Sequence, residues 1–248
     1  MKILVLPDVQ AKHGNDFSFL TSIGNYIVAK KPDVIVNLGD FCDFESLSQW
    51  DIGKKSFEGR TYQRDIQATR EAMDALLTPL FDYNKEMKRQ KHKPYNPRMV
   101  LTLGNHEDRL TRCVNSDRKL DGLISLDDLP YQDWEVYPFL EVVVIEGIAF
   151  SHYFTSGAMG KPVGTAQALL NKKHMSCIAG HQQGRQIAYA KRADGKDMTS
   201  MIIGSCYEHD EAYMSDNNYW RGLYILHNVV DGSFDECAVP LHYIKEHY

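Results

Sequence analysis

The first forty residues alternate between short apolar runs and one amphipathic stretch. The run Ile3–Leu6 predicts a buried strand, and apolar residues at helical spacing predict a helix over Asp16–Lys30. A second apolar run, Val34–Leu38, predicts the next strand. Strand, helix and strand in this order are typical of a parallel sheet in an α/β protein.

The remainder predicts a long helix followed by a strand-rich half. Apolar positions predict a helix from Tyr62 to about Lys91, which Pro79 is expected to kink or split. Shorter helices are expected at about Asp108–Val114 and within residues 155–175. Further strands are predicted at the apolar runs Met99–Leu103, Leu140–Ile145, Ile148–Ser151, Cys177–Ala179, Ile187–Ala190, Met201–Gly204, Leu223–His227 and Ala238–Ile244.

No repeat, low-complexity segment or linker divides the chain, so residues 1–248 are predicted to form a single domain. The polar and aromatic stretch 44–60 has no clear period. Together with the long helix that follows, it forms an insertion at about residues 44–98. This insertion is a candidate cover for the active site.

Composition limits the classes of function. With 28 Lys+Arg against 33 Asp+Glu and a net charge of -5, nothing supports an obligate duplex DNA binder, although an enzyme with a locally basic cleft stays open. The basic stretch Lys85–Lys93 fits either a solvated helix end or a nucleic-acid contact. Five scattered cysteines without a C-x-x-C pair indicate a reducing compartment. Since no apolar run is long enough for a signal peptide or a membrane span, we expect a soluble, cytoplasmic protein without a membrane partner.

Residues that can bind metals or move protons follow five of the predicted strands. They are Asp8, Asp40, Asn105 with His106, His152 and His181. One aspartate or asparagine after a strand is ordinary turn chemistry, but five such strand ends in one chain are not expected to arise by chance. Because ligand sites in α/β sheets lie at the carboxyl ends of strands, we expect these side chains to share one crevice.

The order of these motifs resembles that of the calcineurin-like metallophosphoesterase family. The motifs read Asp8-Val9-Gln10, Gly39-Asp40-Phe41-Cys42-Asp43, Gly104-Asn105-His106-Glu107, Ser151-His152 and Gly180-His181-Gln182-Gln183. The resemblance spans residues 8–183, and it also extends to uncharacterised phage- or prophage-borne members. It implies an α/β fold, namely a four-layer αββα sandwich with two mixed β-sheets. It also implies two divalent metal ions at the strand ends.

Two metal sites that share Asp40 as a bridge are implied by the resemblance. The second metal would be bound by Asp40, Asn105, His152 and His181, and the first by Asp8, Asp40, Gln10 and Gln183. Both glutamines stand where the family has histidine. Because amide oxygens are weaker ligands for Zn than imidazole is, Mn or Mg is expected, with Zn, Fe or Ni as further possibilities. The first site is therefore expected to bind its metal weakly, and the alternative is that this site is lost and stays empty.

The same resemblance implies the catalytic roles. His106 would be the general acid that protonates the leaving oxygen, and Asp43 would orient its ring, with a helix N-cap as the alternative role for Asp43. Arg109 and His209 are candidate substrate-binding residues. Phe44 stands where related protein phosphatases carry an arginine that clamps phosphate, which argues against that branch.

The function implied is hydrolysis of a phosphate ester by metal-activated water, without a covalent intermediate. The missing arginine and the long insertion favour a phosphodiester or nucleotide-type substrate. The expected partner is therefore a phosphate-ester small molecule or a nucleotide, with nucleic acid left open. One alternative is a DNA or RNA nuclease of the same family. The other, motivated by Gln10 and Gln183, is a catalytically inactive relative that binds a nucleotide or a partner.

Overall fold

The computed structural model describes residues 1–210 and 219–248, and two large β-sheets dominate this part of the chain. The strands are β1 (Ile3–Leu6), β2 (Val34–Asn37), β3 (Arg98–Thr102), β4 (Glu135–Tyr137), β5 (Val143–Ile145), β6 (Ile148–Ser151), β7 (Thr155–Ser156), β8 (Lys161–Pro162), β9 (Ser176–Ala179), β10 (Arg185–Lys191), β11 (Asp197–Ile203), β12 (Gly222–Val230) and β13 (Ser233–Pro240). The α-helices are α1 (Ser18–Lys30), α2 (Tyr62–Arg89), α3 (Asp108–Ser116), α4 (Ala166–Lys173) and α5 (Leu241–His247).

Both large sheets mix parallel and antiparallel pairs. The first has the order β13-β12-β1-β2-β3-β4, in which β1 to β4 are parallel and β12 runs antiparallel to β1. The second has the order β10-β11-β9-β6-β5, in which β6, β9 and β11 are parallel. The short strands β7 and β8 form a separate hairpin. The prediction of two mixed sheets is confirmed.

The two faces of the first sheet pack against different layers. Along β1, Leu4 and Leu6 join the core formed with helices α1, α2 and α5, whereas Ile3 and Val5 join the core between the two sheets. This alternation is the two-residue period of a strand that is buried on both faces. Helix α4 packs on the outer face of the second sheet. The layers therefore follow the order helix, sheet, sheet, helix, as the resemblance implied.

The long helix α2 starts at a capped turn, because the Thr61 hydroxyl accepts a hydrogen bond from the backbone N–H of Arg64. It continues through Pro79 for 28 residues, so the expected splitting of this helix is wrong. Helix α1 approaches it closely at Gly24, where an added Cβ would lie 2.4 Å from the backbone oxygen of Leu76. Close packing on α1 makes α2 part of the outer helical layer.

The insertion at 44–98 thus has two parts. Helix α2 belongs to the sandwich, while the segment 45–52, which includes the short 3-10 turn Glu45–Leu47, lies beside Arg109 at one end of helix α3. A cover for the active site stays a prediction for the segment 45–52 alone.

Several elements differ from the sequence prediction, among them the short strands β7 and β8, which were not predicted. The edge strand β4 was not predicted, and the apolar run Ala238–Ile244 is not one strand, because β13 ends at Pro240 and α5 begins at Leu241. Helix α4 lies where a helix was expected. Among the described helices, none combines the length and the apolar character that a bilayer crossing requires.

Candidate metal centre

Strand ends of both sheets meet at one candidate metal site. Asp40 follows β2 of the first sheet, and His152 and His181 follow β6 and β9 of the second. One ligand atom from each of the three lies within 4.8 Å of the others. Asp40 and His152 are buried. These residues therefore offer a carboxylate and two imidazoles to one point, a donor set suited to a divalent cation.

The orientation of His152 leaves one ring nitrogen for this point. Its Nδ1 lies 2.8 Å from the backbone oxygen of Leu38, an acceptor, so Nδ1 carries the hydrogen and Nε2 faces the site. Nε2 lies 2.9 Å from Asn105 Oδ1 and 3.3 Å from Asp40 Oδ2. Three acceptor atoms that converge in this way require a cation or a proton between them.

The charges near His152 agree with this need. Burial opposes its protonation, but the carboxylates of Asp40 and Asp8 outweigh burial and raise the pKa of His152 to about 9. Burial, helped by the neighbouring His152, lowers the pKa of His181 to about 4, so its imidazole is neutral near pH 7. A neutral imidazole is the form that ligates metals. A bound cation would take the place of the proton that these carboxylates attract to His152.

Two buried oxygens beside this cluster lack hydrogen-bond partners within the described residues. They are Asp8 Oδ2 and Gln10 Oε1. The other oxygen of Asp8 accepts from the backbone N–H of His181 at 3.1 Å. Burial, with Asp40 nearby, raises the pKa of Asp8 to about 7 although His152 opposes the shift. Because an unpartnered buried acceptor is costly, these two oxygens fit a second cation.

Gln183 has a different environment from Gln10. It is buried, and its Oε1 accepts a hydrogen bond from the Tyr207 hydroxyl at 2.8 Å. This bond orients the amide and occupies one of the two lone pairs of the oxygen. Gln183 as a ligand of the first metal stays a prediction. Gln10 is the better supported of the two candidate ligands, because its buried oxygen has no hydrogen-bond partner among the described residues.

Backbone geometry at the site explains two motif glycines. An added Cβ at Gly104 would lie 2.0 Å from Asp40 Oδ1, and one at Gly180 would lie 2.5 Å from Asp8 Oδ1. Only glycine lets these carboxylates approach the neighbouring loop so closely. Several candidate ligands also adopt the sparsely populated left-handed conformation, and such strain tends to cluster at functional sites. They are Gln10 (φ 46°), Asp40 (φ 47°), His181 (φ 67°) and Gln183 (φ 58°).

His106 lies between the carboxylates of Asp43 and Asp40, the latter a candidate metal ligand. Its Nδ1 lies 2.6 Å from Asp43 Oδ1, and its Nε2 lies 3.7 Å from Asp40 Oδ2. Burial lowers the pKa of His106, but the two carboxylates outweigh this effect, so the pKa is raised above its ordinary value. A histidine with a raised pKa keeps its proton near neutral pH, as a general acid must.

Asp43 is held as a carboxylate by its neighbours. Burial would raise its pKa, but His106, Lys12 and Arg109 hold the pKa of Asp43 well below its usual range. Lys12 Nζ lies 3.1 Å from Asp43 Oδ2. The side chain therefore contacts His106 instead of capping a helix, since the adjacent 3-10 turn has Phe44 at its N-cap position.

Arg109 contacts both members of this pair. Its guanidinium donates to the backbone oxygen of Asp43 at 2.8 Å, and another nitrogen lies 3.0 Å from His106 Nε2. Phe44, which stands where related protein phosphatases carry an arginine, is buried and stacks on Tyr62 at 5.9 Å between ring centroids. Arg109 therefore supplies a cation next to the candidate general acid, and Phe44 belongs to the core.

His209, the other predicted substrate contact, lies on the Gln10 side. Its ring stacks on Tyr207 at 4.4 Å between centroids, and its Nδ1 lies 2.9 Å from Asn15 Nδ2. A cavity of about 300 Å³ has Gln10 and His209 in its wall. The position is compatible with a ligand contact, and substrate binding by His209 stays a prediction.

Sequence reasoning assigned no role to Glu107, yet its buried carboxylate ties two strand-end loops together. It accepts hydrogen bonds from four backbone N–H groups, those of Asp40, Phe41, Cys42 and Gly104, and from the Tyr131 hydroxyl, at distances of 2.8 to 3.0 Å. These hydrogen bonds link the Asp40 loop to the loop that carries Asn105. The sequence feature that could have revealed this role is the carboxylate at the end of the motif Gly104-Asn105-His106-Glu107, which follows a buried strand.

We expect Glu107→Ala to lower the free energy of unfolding by about 3 kcal/mol or more, because several buried donors lose their acceptor. Glu107→Gln should also destabilise, since an amide nitrogen would face backbone donors. Urea denaturation followed by circular dichroism measures both effects, with the exposed Glu141→Ala as the matched control. A Glu107→Ala variant as stable as this control would contradict the assigned role.

A two-sheet sandwich with side chains at its strand ends that could ligate a metal defines the class of protein. A family model described as calcineurin-like phosphoesterase matches residues 1–189, and the chain belongs to this family. A search of curated proteins finds no match.

Solved structures with a similar chain course include an uncharacterized protein from Streptococcus pneumoniae described as a predicted phosphoesterase. It is 11% identical with a TM-score of 0.33, and the alignment covers 96% of this chain and 97% of that one. Vps29 from Chaetomium thermophilum is 11% identical with a TM-score of 0.39, and the alignment covers the same shares of the two chains. Both TM-scores are low, so the family assignment rests on the match over residues 1–189.

Proposed function

We propose that this protein is a metal-dependent phosphoesterase that hydrolyses a phosphodiester or a nucleotide-type ester with water as the nucleophile. The observation that carries the proposal is the meeting of Asp40, His152 and His181 within 4.8 Å, beside the unpartnered oxygens of Asp8 and Gln10. With Asn105 and Gln183 these residues make up the proposed ligand set. Two divalent cations, when bound there, would neutralise the charge of the phosphate and lower the pKa of a water molecule.

His106 is proposed to deliver the proton that the leaving oxygen needs. Its raised pKa keeps the proton available, and the contact with Asp43 fixes the ring so that Nε2 faces the site. Arg109 now occupies that nitrogen, at 3.0 Å. Because a guanidinium only donates, this contact requires Nε2 without a hydrogen. A bound phosphate offers the guanidinium a better acceptor, so Arg109 is proposed to turn to the phosphate, and Nε2 then takes up the proton that it gives to the leaving oxygen.

A nucleotide-type ester or a phosphodiester is favoured over a phosphoprotein by the residues around this acid. The buried Phe44 stands where related protein phosphatases carry an arginine that clamps phosphate. Lys12 forms an ion pair with Asp43, and Arg109 is the cation that contacts the proposed general acid His106. A site with fewer cations suits the single negative charge of a diester better than the two charges of a monoester, so among nucleotide-type esters this argument favours diesters.

The nuclease alternative loses its sequence support in the fold. The basic stretch Lys85–Lys93 closes helix α2, which leads into the amino end of β3. The candidate metal site lies at the carboxyl ends of the strands, so the basic stretch is at the other end of this sheet. Within it, Arg89 also pairs with Glu86 at 2.6 Å. No observation favours nuclease activity over the proposed function.

Hydrolysis of p-nitrophenyl mono- and diesters tests the proposal. We expect turnover with Mn²⁺ or Mg²⁺, higher activity on the diester, and loss of turnover in the presence of a chelator. The inactive alternative predicts no turnover with Mn²⁺, Mg²⁺ or Zn²⁺ between pH 6 and 9. That result, obtained with folded protein, would overturn the proposed function.

A further inference from the structure

A groove runs away from the candidate general acid along helix α3. Its volume is about 350 Å³, within the size range of small-ligand sites. One wall is the segment 45–52, and the other is the face of helix α3 that starts at Arg109. The residues that matter here are Leu47, Gln49, Trp50, Ile52, Arg109 and Asp117.

Arg109 connects the groove with the candidate general acid. Arg109 lines the groove and lies 3.0 Å from His106 Nε2, the nitrogen proposed to protonate the leaving oxygen. Whatever is bonded to that oxygen must extend away from the phosphorus. Since Arg109 contacts His106 and also lines the groove, a group that extends from the leaving oxygen past Arg109 would enter the groove.

The walls of the groove combine apolar and polar side chains. Trp50 is 84% exposed and Ile52 is 68% exposed, which is unusual for large apolar residues that lie next to each other at a groove. Gln49 and Asp117 add polar groups at its borders, and Arg109 adds a cation at its inner end. A flat aromatic ring with hydrogen-bonding edges matches this combination, because its faces can stack on an indole while its edges meet polar groups.

We propose that the groove binds the leaving group of the ester and that this group carries an aromatic heterocycle, as a nucleoside does. The proposal rests on the proposed function for the direction of the substrate, and it adds the part of the substrate that is recognised. Trp50 is the stacking residue and Ile52 extends the apolar wall. An aliphatic alcohol would leave both side chains in water and would gain nothing from the groove.

Equilibrium binding tests this inference without turnover. Isothermal titration calorimetry compares adenosine 5′-monophosphate with ribose 5-phosphate, which has the same phosphate and sugar but no base. All measurements use Mn²⁺ and a His106→Asn background, so that the ligand is not consumed. We expect the nucleotide to bind about tenfold more tightly than the sugar phosphate, because stacking of a base on an aromatic side chain has an effect of this order.

Substitutions locate the source of this preference. Trp50→Ala should remove most of the preference for the nucleotide and leave the affinity for ribose 5-phosphate unchanged, and Ile52→Ala should reduce it partly. The matched control is Tyr189→Ala, which removes another exposed aromatic, on strand β10 of the second sheet. Equal affinities for the two ligands before the Trp50 substitution, or a preference that survives Trp50→Ala, would overturn the proposal.

The outcome also separates the two proposals. A preference for the nucleotide that depends on Trp50, in a protein without turnover on any ester, would support the groove and refute the enzyme. Turnover of phosphate esters without any preference for the base would support the enzyme and refute the groove.

Discussion

Asp40→Asn is expected to lower kcat/KM for phosphodiesters by about a thousandfold or more. The substitution keeps an oxygen that can accept from the backbone N–H of His106, a bond that is 2.8 Å long, but it removes the negative charge that Asp40 would offer to the proposed metal ions. Loss of metal-based charge stabilisation removes several kcal/mol from the transition state, and each 1.4 kcal/mol is a factor of ten. Steady-state hydrolysis of bis-p-nitrophenyl phosphate with Mn²⁺ measures the effect.

Folding controls keep this result specific. Asp82→Asn removes a carboxylate from the exposed side of α2 and should leave the rate unchanged. The far-ultraviolet circular dichroism of Asp40→Asn should match that of the parent protein. Unchanged turnover in Asp40→Asn would show that the cluster around Asp40 and His152 is not the site of hydrolysis.

The second large effect concerns His106, and its size should depend on the leaving group. Without a general acid, an alkoxide must leave unprotonated, so His106→Ala should reduce the hydrolysis of an alkyl ester by about 10²- to 10⁴-fold. A nitrophenolate leaves without help, so the same variant should lose far less activity on a nitrophenyl ester. Parallel assays on a nucleotide and on its p-nitrophenyl ester measure the two losses. Equal losses on both substrates would contradict the role of a general acid.

Asp43 provides a pH test of the same role. The acid must be protonated, so activity on the poor leaving group should fall as pH rises through the pKa of His106. Asp43 is one of the carboxylates that raise this pKa, so Asp43→Asn should lower it and move the falling limb of the pH profile to lower pH. A limb that stays in place would show that Asp43 acts only on the fold.

Much of the fold could be predicted because the strands on either side of the core are short, apolar and followed by recognisable turns. Ile3–Leu6 and Ile148–Ser151 have the predicted bounds, and both are buried along their whole length. The missed strand Glu135–Tyr137 is an edge strand of three residues with little burial, so its pairing depends on β3 and not on its own pattern. The run Ala238–Ile244 was predicted to be one strand, but this single apolar stretch contains the end of β13 at Pro240 and the start of helix α5 at Leu241.

The candidate site was predictable where a residue directly follows a parallel strand. His152 and His181 meet because β6 and β9 are neighbouring parallel strands whose carboxyl ends share one edge of the second sheet. Asp40 reaches them from the end of β2 in the first sheet, which packs face to face on the second. Contacts from elsewhere in the chain could not be predicted in this way. Lys12 pairs with Asp43 and Tyr207 holds Gln183 only after the loops have folded together.

The two glutamines now differ in meaning. Sequence alone treated Gln10 and Gln183 as equivalent replacements in one altered site. In the structure the Gln10 oxygen is buried without a partner among the described residues, whereas the Gln183 oxygen accepts from Tyr207. We therefore attribute the weaker first metal site chiefly to Asp8 and Gln10. An oxygen-rich site of this kind favours Mn²⁺ or Mg²⁺ over Zn²⁺.

The central claim is that two unlike metal sites lie at these strand ends, and a calorimetric titration of the chelator-treated protein with Mn²⁺ tests it most directly. We predict one tighter and one weaker binding event per chain. The tighter event should disappear in His181→Ala, and the weaker event should disappear in Asp8→Asn. Absence of binding, or binding that neither substitution alters, would contradict the account.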